Sequence, residues 1–192
     1  MNWFMKKAAA LAVLLALAAG PAGADVRAEI GVLAGTRTIN SAAIRNVYGS
    51  GMIVYPYAKV HPWRGLFVGA GYEGAAARSG TIGLYAEPTT LKLTGFEVFA
   101  GYEIPFGKIV PYVKAGYAFY SYKQVIESPF VEDFQAEGSK GTIALGAGAK
   151  ALMSGSFFLA GEVRLVPLKV KPFEDEVDLG GLRYTAGIGV IF

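Results

Sequence analysis

The chain contains no cysteine and only one histidine, His61. Without thiols there is neither a disulfide framework nor a thiolate metal site, and a lone histidine excludes a histidine-rich metal centre. Charge is scarce too, with 18 basic and 15 acidic residues in a chain of 192. After the first twenty residues no apolar run approaches the roughly 18 residues that a membrane-spanning helix requires, so a helical membrane protein is excluded. What the chain does have is apolar mass: 53% hydrophobic residues, 13% aromatics and 26 glycines. An apolar chain without spanning helices is either a soluble protein with a very large core or a barrel that turns its apolar face to lipid.

The amino terminus carries an export pattern. Lys6 and Lys7 precede an unbroken apolar stretch from Ala8 to Ala19. Those twelve residues span roughly 18 Å as a helix, well short of the roughly 30 Å hydrocarbon core. Gly20 and Pro21 break the stretch, and Ala22-Gly23-Ala24 supplies the small-x-small pattern that a signal peptidase reads. The sequence thus predicts a signal peptide over 1–24 and a single mature domain over 25–192, starting at Asp25. Removing Lys6 and Lys7 lowers the basic count from 18 to 16 against 15 acids, a net charge near +1. The sequence pI of about 9.0 therefore carries no sign of a nucleic-acid partner.

From Asp25 to Phe192 the chain alternates with period two, and eight segments admit a phase in which one face is free of charge. Ala28, Ile30 and Val32 oppose Arg27, Glu29 and Gly31. Met52, Val54, Pro56, Ala58 and Val60 oppose Tyr55, Tyr57 and Lys59. Leu66, Val68, Ala70 and Tyr72 oppose Gly69, Gly71 and Glu73. Phe96, Val98, Ala100 and Tyr102 oppose Glu97, Phe99, Gly101 and Glu103. Val113, Ala115, Tyr117 and Phe119 oppose Tyr112, Lys114, Gly116 and Tyr120. Ile143, Leu145, Ala147 and Ala149 oppose Gly146, Gly148 and Lys150. Phe157, Leu159, Val163 and Leu165 oppose Ala160, Glu162 and Arg164. Tyr184, Ala186, Ile188, Val190 and Phe192 oppose Arg183, Thr185, Gly187 and Gly189. An even strand count and stripes of roughly nine to eleven residues suit a tilted strand crossing a bilayer. The expected fold is all-β: an eight-stranded antiparallel up-and-down transmembrane β-barrel.

Connections alternate as well. The segments 61–65, 104–108 and 152–156 are tight turns, whereas 34–50, 74–90, 121–140 and 167–180 are long and polar or mixed. Short periplasmic turns opposite long extracellular loops are the outer-membrane asymmetry. A soluble, lipocalin-like barrel would instead use the apolar face as a ligand cavity. Against that, glycines crowd the charged face, and aromatics fall in two tiers on the apolar face. Phe96, Tyr72, Tyr117, Phe119 and Tyr184 lie toward the loops, and Tyr102, Phe157 and Phe192 toward the turns, as interfacial girdles do. Two prolines fit poorly, because proline cannot donate to a ladder. Pro111 is expected at a strand start and Pro56 at a bulge or a break in pairing.

The export pattern, the eight strands and the terminal Tyr184-x-Ala186-x-Ile188-x-Val190-x-Phe192 resemble the OmpA/OmpX-type outer-membrane barrels, including opacity-type surface antigens. The resemblance covers the whole mature chain and implies location in the bacterial outer membrane. Tyr184, Ile188, Val190 and Phe192 then look like the signal read by the barrel-assembly machinery. Outer-membrane lipid and lipopolysaccharide are the implied surroundings. No peptidoglycan-binding domain follows the barrel here, so the wall-tethering role of full-length OmpA is not expected.

With the apolar face outward, eleven charges enter the lumen: Arg27, Lys59, Lys114, Lys150, Arg164 and Arg183 against Glu29, Glu73, Glu97, Glu103 and Glu162. An interior just wide enough for side chains should pair them, since an unpaired buried charge is costly. A narrow polar pathway is the alternative. His61 falls in the His61-Pro62-Trp63 turn, at the wrong end to serve an external serine as base, so a lipid A deacylase-like hydrolase is disfavoured and no catalytic set is assigned. Glu174, Asp175, Glu176 and Asp178 lack EF-hand spacing and read as a solvated loop. Phe130 and Phe134 are candidates for gripping a partner or folding over the mouth. No cofactor is implied. The expected function is a non-enzymatic surface barrel, structural or adhesive, acting through its loops. A small pore or hydrophobic-solute conduit resembling OmpW is the alternative.

Overall fold

The computed structural model of the chain describes residues 27–83, 86–127, 134–153, 155–173 and 175–192. The expected signal peptide and its cleavage site lie outside these residues. The chain runs β1 (Arg27–Arg37), helix α1 (Ala42–Tyr48), β2 (Gly51–His61), β3 (Leu66–Ala75), β4 (Arg78–Ile82), β5 (Glu87–Glu103), β6 (Ile109–Ile126), β7 (Phe134–Leu152), β8 (Phe157–Val166), β9 (Lys169–Phe173), β10 (Asp175–Asp178) and β11 (Gly181–Ile191).

Eight of these strands form the wall. Antiparallel pairing links β3, β2, β1, β11, β8, β7, β6 and β5 in order, and pairing of β3 with β5 closes the ring. The first and last strands meet over nine residue pairs, from Glu29 opposite Ile191 to Arg37 opposite Arg183. Closure leaves the wall without the free edges that a bilayer cannot tolerate. No helix among the described residues is long and apolar enough to cross a membrane.

The alternation behaves as the sequence predicts. Ile30, Val113, Leu145, Leu159 and Ile188 stand exposed on the outer face, while Glu29, Lys114, Glu162 and Arg164 are buried. The two aromatic tiers also point outward. Tyr72, Phe96 and Phe119 lie side by side across three strands toward the loop end, and Tyr102, Phe157 and Phe192 are exposed near the turns.

Where the membrane ends is written on the outer face of β5, β6 and β7. One row is Phe96, Phe119 and Gly141; the next outward row is Thr94, Ser121 and Ser139; the row after that is Lys92, Lys123 and Glu137. Aromatic ring, hydroxyl and charge follow one another along the barrel axis, which is the polarity gradient of a bilayer interface.

The long connections are far more ordered than their composition predicts. Strands β5, β6 and β7 run on past the interface, so 121–126 and 134–140 are ladder, not loop. β4 pairs with the extension of β5, α1 occupies the first connection, and β9 and β10 form a hairpin in the last. Solvated extensions have lost the apolar alternation that marks a half-buried strand, and their backbone pairing is invisible to a hydropathy pattern. Pro111 lies at the third position of β6, where β5 pairing has not yet begun. At Pro56 the ladder to β3 is interrupted, covering Tyr55 and Pro56, and resumes in the same register with Tyr57 opposite Gly71. The break in pairing is therefore present, and there is no bulge.

Candidate functional site

All eleven charged side chains expected in the lumen meet there, in two connected groups. At the turn end, Lys59 Nζ lies 2.9 Å from Glu29 and 2.8 Å from Glu103. Lys150 Nζ lies 2.5 Å and 2.7 Å from the same two carboxylates, and Arg27 lies 3.1 Å from Glu103. Higher up, Lys114 lies 2.9 Å from Glu162 and 3.8 Å from Glu97. Arg164 bridges Glu97 at 2.5 Å and Glu73 at 2.6 Å, and Arg183 stands 3.5 Å from Glu73. Tyrosine hydroxyls complete the shells: Tyr55 donates to Glu97, Tyr57 to Glu29, Tyr112 to Glu162 and Tyr120 to Glu73. Burying these carboxylates is tolerable because each of the five has a cationic nitrogen within 2.9 Å.

Two further residues join this network. Arg37, assigned by the sequence to a loop, ends β1 and lies 3.6 Å from Glu73, fully buried. His61 is not a turn residue: it ends β2 with its ring buried, Nε2 3.3 Å from Glu103 and Nδ1 3.3 Å from the Arg27 carbonyl. Both follow from continuing the inward phase, by three steps from Gly31 to Arg37 and by one from Lys59 to His61. The turn-end placement of His61 holds. With Arg37 the lumen carries seven basic residues against five acids, rather than near balance.

Glu29, His61 and Glu103 bring their donor atoms within 4.8 Å of one another. The ammonium groups of Lys59 and Lys150 already sit between these carboxylates, where a metal ion would have to go. The donor set fits ion pairing and not metal binding.

Glycines make the crowding possible. The ring of Tyr55 lies where a Cβ on Gly71 would stand, and Tyr57 lies 2.7 Å from the Cβ position of Gly31. Tyr112 covers Gly148 in the same way at 2.7 Å. Gly95, Gly101 and Gly189 likewise leave recesses that take the rings of Tyr120, Phe67 and Phe158 from the neighbouring strand. In the middle of the lumen lies a cavity of about 10 Å³, bounded by Lys59, Phe67, Tyr112 and Lys114 among others. That is room for about one water.

Above the charges lies an apolar layer that the sequence did not reveal. Leu91 and Leu93 of β5, Ala118 of β6, Ala144 of β7 and Val166 of β8 face inward and pack with Ile39, Leu168, Val170 and Leu179 from the connections. Tyr48 of α1 is buried in this layer, its hydroxyl 2.7 Å from Thr89 and 2.8 Å from the Gln124 amide nitrogen. The helix thus seals the mouth over Tyr120 and Leu93.

Beside this seal, a cavity of about 640 Å³ opens at the mouth between the β6–β7 extension and the β9–β10 hairpin. Lys140, Lys169 and Lys171 line it together with Tyr122, Thr142, Val170 and Glu176. Lys169 and Glu176 pair at 2.8 Å, which raises the lysine pKa and holds the Glu176 carboxyl below its ordinary range. Of the acidic and aromatic loop residues singled out by sequence, Phe130 and Glu174 lie outside the described residues. Phe134 opens β7 on an exposed position.

Residues 8–192 match the family described as the outer membrane protein beta-barrel domain, and the chain belongs to that family. It is a protein of the bacterial outer membrane. No curated protein matches the chain. Among solved structures it is similar to Neisserial surface protein A, with 13% identity and a TM-score of 0.60 over 88% of this chain and 98% of that one. It is similar to OprG from Pseudomonas aeruginosa, with 12% identity and a TM-score of 0.57 over 87% and 95%. It is also similar to Ail, the attachment invasion locus protein of Yersinia pestis, in complex with the heparin analogue sucrose octasulfate. There the identity is 16% and the TM-score 0.53 over 87% and 97%. At such identities the likeness is one of fold.

Proposed function

We propose that this chain is a non-enzymatic surface barrel, structural or adhesive, whose lumen holds the wall together and whose loop end does the interacting. The observation that carries this reading is the filled lumen. From Lys59 to Glu73 the interior is cross-linked by ion pairs, and above them the apolar layer around Leu93 and Tyr48 closes the mouth. A conduit for ions or apolar solutes would have to displace both layers, whose polarities are opposite. The order of the extended strands and the β9–β10 hairpin supports a loop end built as a surface. The fold likeness to Ail, an attachment protein by its description, is consistent with an adhesive role.

On this reading Tyr184, Ile188, Val190 and Phe192 serve assembly. They lie on the outer face of β11 and at the end of the chain, where Phe192 is bonded through its backbone to Ala28. Their partners are the barrel-assembly machinery during insertion, and outer-membrane lipid and lipopolysaccharide afterwards. The deciding experiment is planar-bilayer recording of the refolded protein. Absence of discrete channel events at 1 M KCl is the expected result, and stable single-channel steps would establish the pore instead.

A further inference from the structure

We propose that the cavity at the barrel mouth is a binding site for an anionic saccharide, a sugar bearing phosphate, sulfate or carboxylate groups. This rests on the loop-end reading above and names the ligand class for it. Three lysines and one glutamate line the cavity, an excess of two positive charges. Lys140 and Lys171 have no ion pair among the described residues. Lys169 is held by Glu176, in an exposed pair of the kind that contributes little and exchanges readily for another anion.

The frame around these lysines is fixed. Leu168, Val170 and Leu179 bury the base of the β9–β10 hairpin in the apolar layer, and the Leu179 amide donates to the Leu168 carbonyl at 2.8 Å. Thr142 Oγ1 donates to the Pro167 carbonyl, tying the hairpin to the wall. The opposite side is the paired β6–β7 ladder, with Tyr122 opposite Gly138. Anchored walls spare a ligand the cost of ordering them.

Size and lining specify the rest. About 640 Å³ falls within the usual range for a small-ligand site and accepts two or three sugar units. The Tyr122 ring and Pro167 offer the sugar's C–H faces an apolar surface, and the lysines meet its anionic substituents. A neutral sugar would leave the ammonium groups without a counter-charge, and an apolar solute would desolvate them at a cost. The same chemistry is carried by the phosphorylated core of the surrounding lipopolysaccharide and by sulfated glycans outside the cell.

The test is isothermal titration of the refolded barrel in lipid nanodiscs with three probes. These are a phosphorylated lipopolysaccharide core oligosaccharide, a sulfated chondroitin tetrasaccharide and uncharged chitotetraose. One or both anionic probes should bind and chitotetraose should not. Preference for the first identifies the protein's own membrane as the source, and preference for the second an external glycan. K140Q and K171Q should each weaken binding by about tenfold, the loss of one charge-assisted contact. E176Q, which frees Lys169, should strengthen it, a gain that general damage to the fold would not produce. K123Q, on the outer face of the same β6–β7 ladder, should leave it unchanged. Absence of binding by both anionic probes, or equal losses in K123Q and K140Q, would overturn the assignment. If cells displaying the wild-type protein adhere to a host matrix while neither anionic probe binds, the surface-barrel reading stands and the saccharide site falls.

Discussion

Arg164 and Glu73 join opposite walls of the barrel, 2.6 Å apart, from strands that are four places distant in either direction around the ring. A neighbouring-strand pair would only reinforce a ladder that the backbone already makes. This pair fixes the diameter. Glu97 shares the same guanidinium from β5, and Arg37 and Arg183 approach Glu73 from β1 and β11, so one cross-section of the lumen ties five strands together.

Arg164→Ala should therefore destabilise the refolded barrel by about 3–5 kcal/mol, because Glu73 and Glu97 lose their shared cation in a dry interior. Glu162→Ala, which removes the partner of Lys114, should cost a comparable amount. The urea midpoints of both variants, followed by the gel shift between folded and boiled protein, measure this. Wild-type midpoints in both would mean a hydrated lumen and would favour the pathway over the plug.

The cross-lumen pairing also shows how far the sequence carries. Period-two alternation sets the face of every charge from Arg27 to Arg183, because a strand offers only two faces and lipid accepts only one of them. It is silent on partners. Glu162 and Arg164 look from their spacing like stacked residues of one wall, yet Arg164 crosses to β3 while Glu162 pairs with β6. Pairing across a ring depends on strand tilt and stagger, which hydropathy does not encode. The apolar layer is illegible in the sequence for a related reason. Leu91 and Leu93 continue the inward phase of Glu97, but they sit beyond the membrane, where α1 and the β9–β10 hairpin and not lipid give them their neighbours. Arg37 and His61 lie on the same inward phase as Glu29 and Lys59, past the last apolar outward residue of their strands.

Gly71 and Tyr55 supply a second test, of packing and not of charge. The tyrosine ring fills the recess above the glycine while its hydroxyl donates to Glu97 at 2.9 Å. Gly71→Ala pushes the ring away, and with it that hydrogen bond. A loss of about 1–3 kcal/mol is expected from the overpacking. Gly155→Ala, at a turn where the Cβ position is open but φ is +73°, tests backbone strain without any clash. Thermal melting of the folded band on gels compares the two. A Gly71→Ala barrel that melts with the wild type would show that the inward glycines are not recesses for rings.

The orientation of the faces supports everything above and is directly measurable. Leu145 stands half exposed on the outer face of β7, and its neighbour Gly146 faces Lys114. Leu145→Arg places a charge in the hydrocarbon and should cost about 2–4 kcal/mol. An arginine at Ser139, six residues nearer the loop end and beyond the aromatic row, should cost almost nothing, since the outward face there already adjoins Lys123 and Glu137. The difference between the two is the depth of the membrane read in free energy. Spin labels on single cysteines at 145 and 146 give an independent measure. Relaxation by oxygen dissolved in the bilayer should be strong at 145 and weak at 146. The opposite ranking would put Leu145 inside a cavity and Lys114 in water, and the ion-paired lumen would have to be abandoned with it.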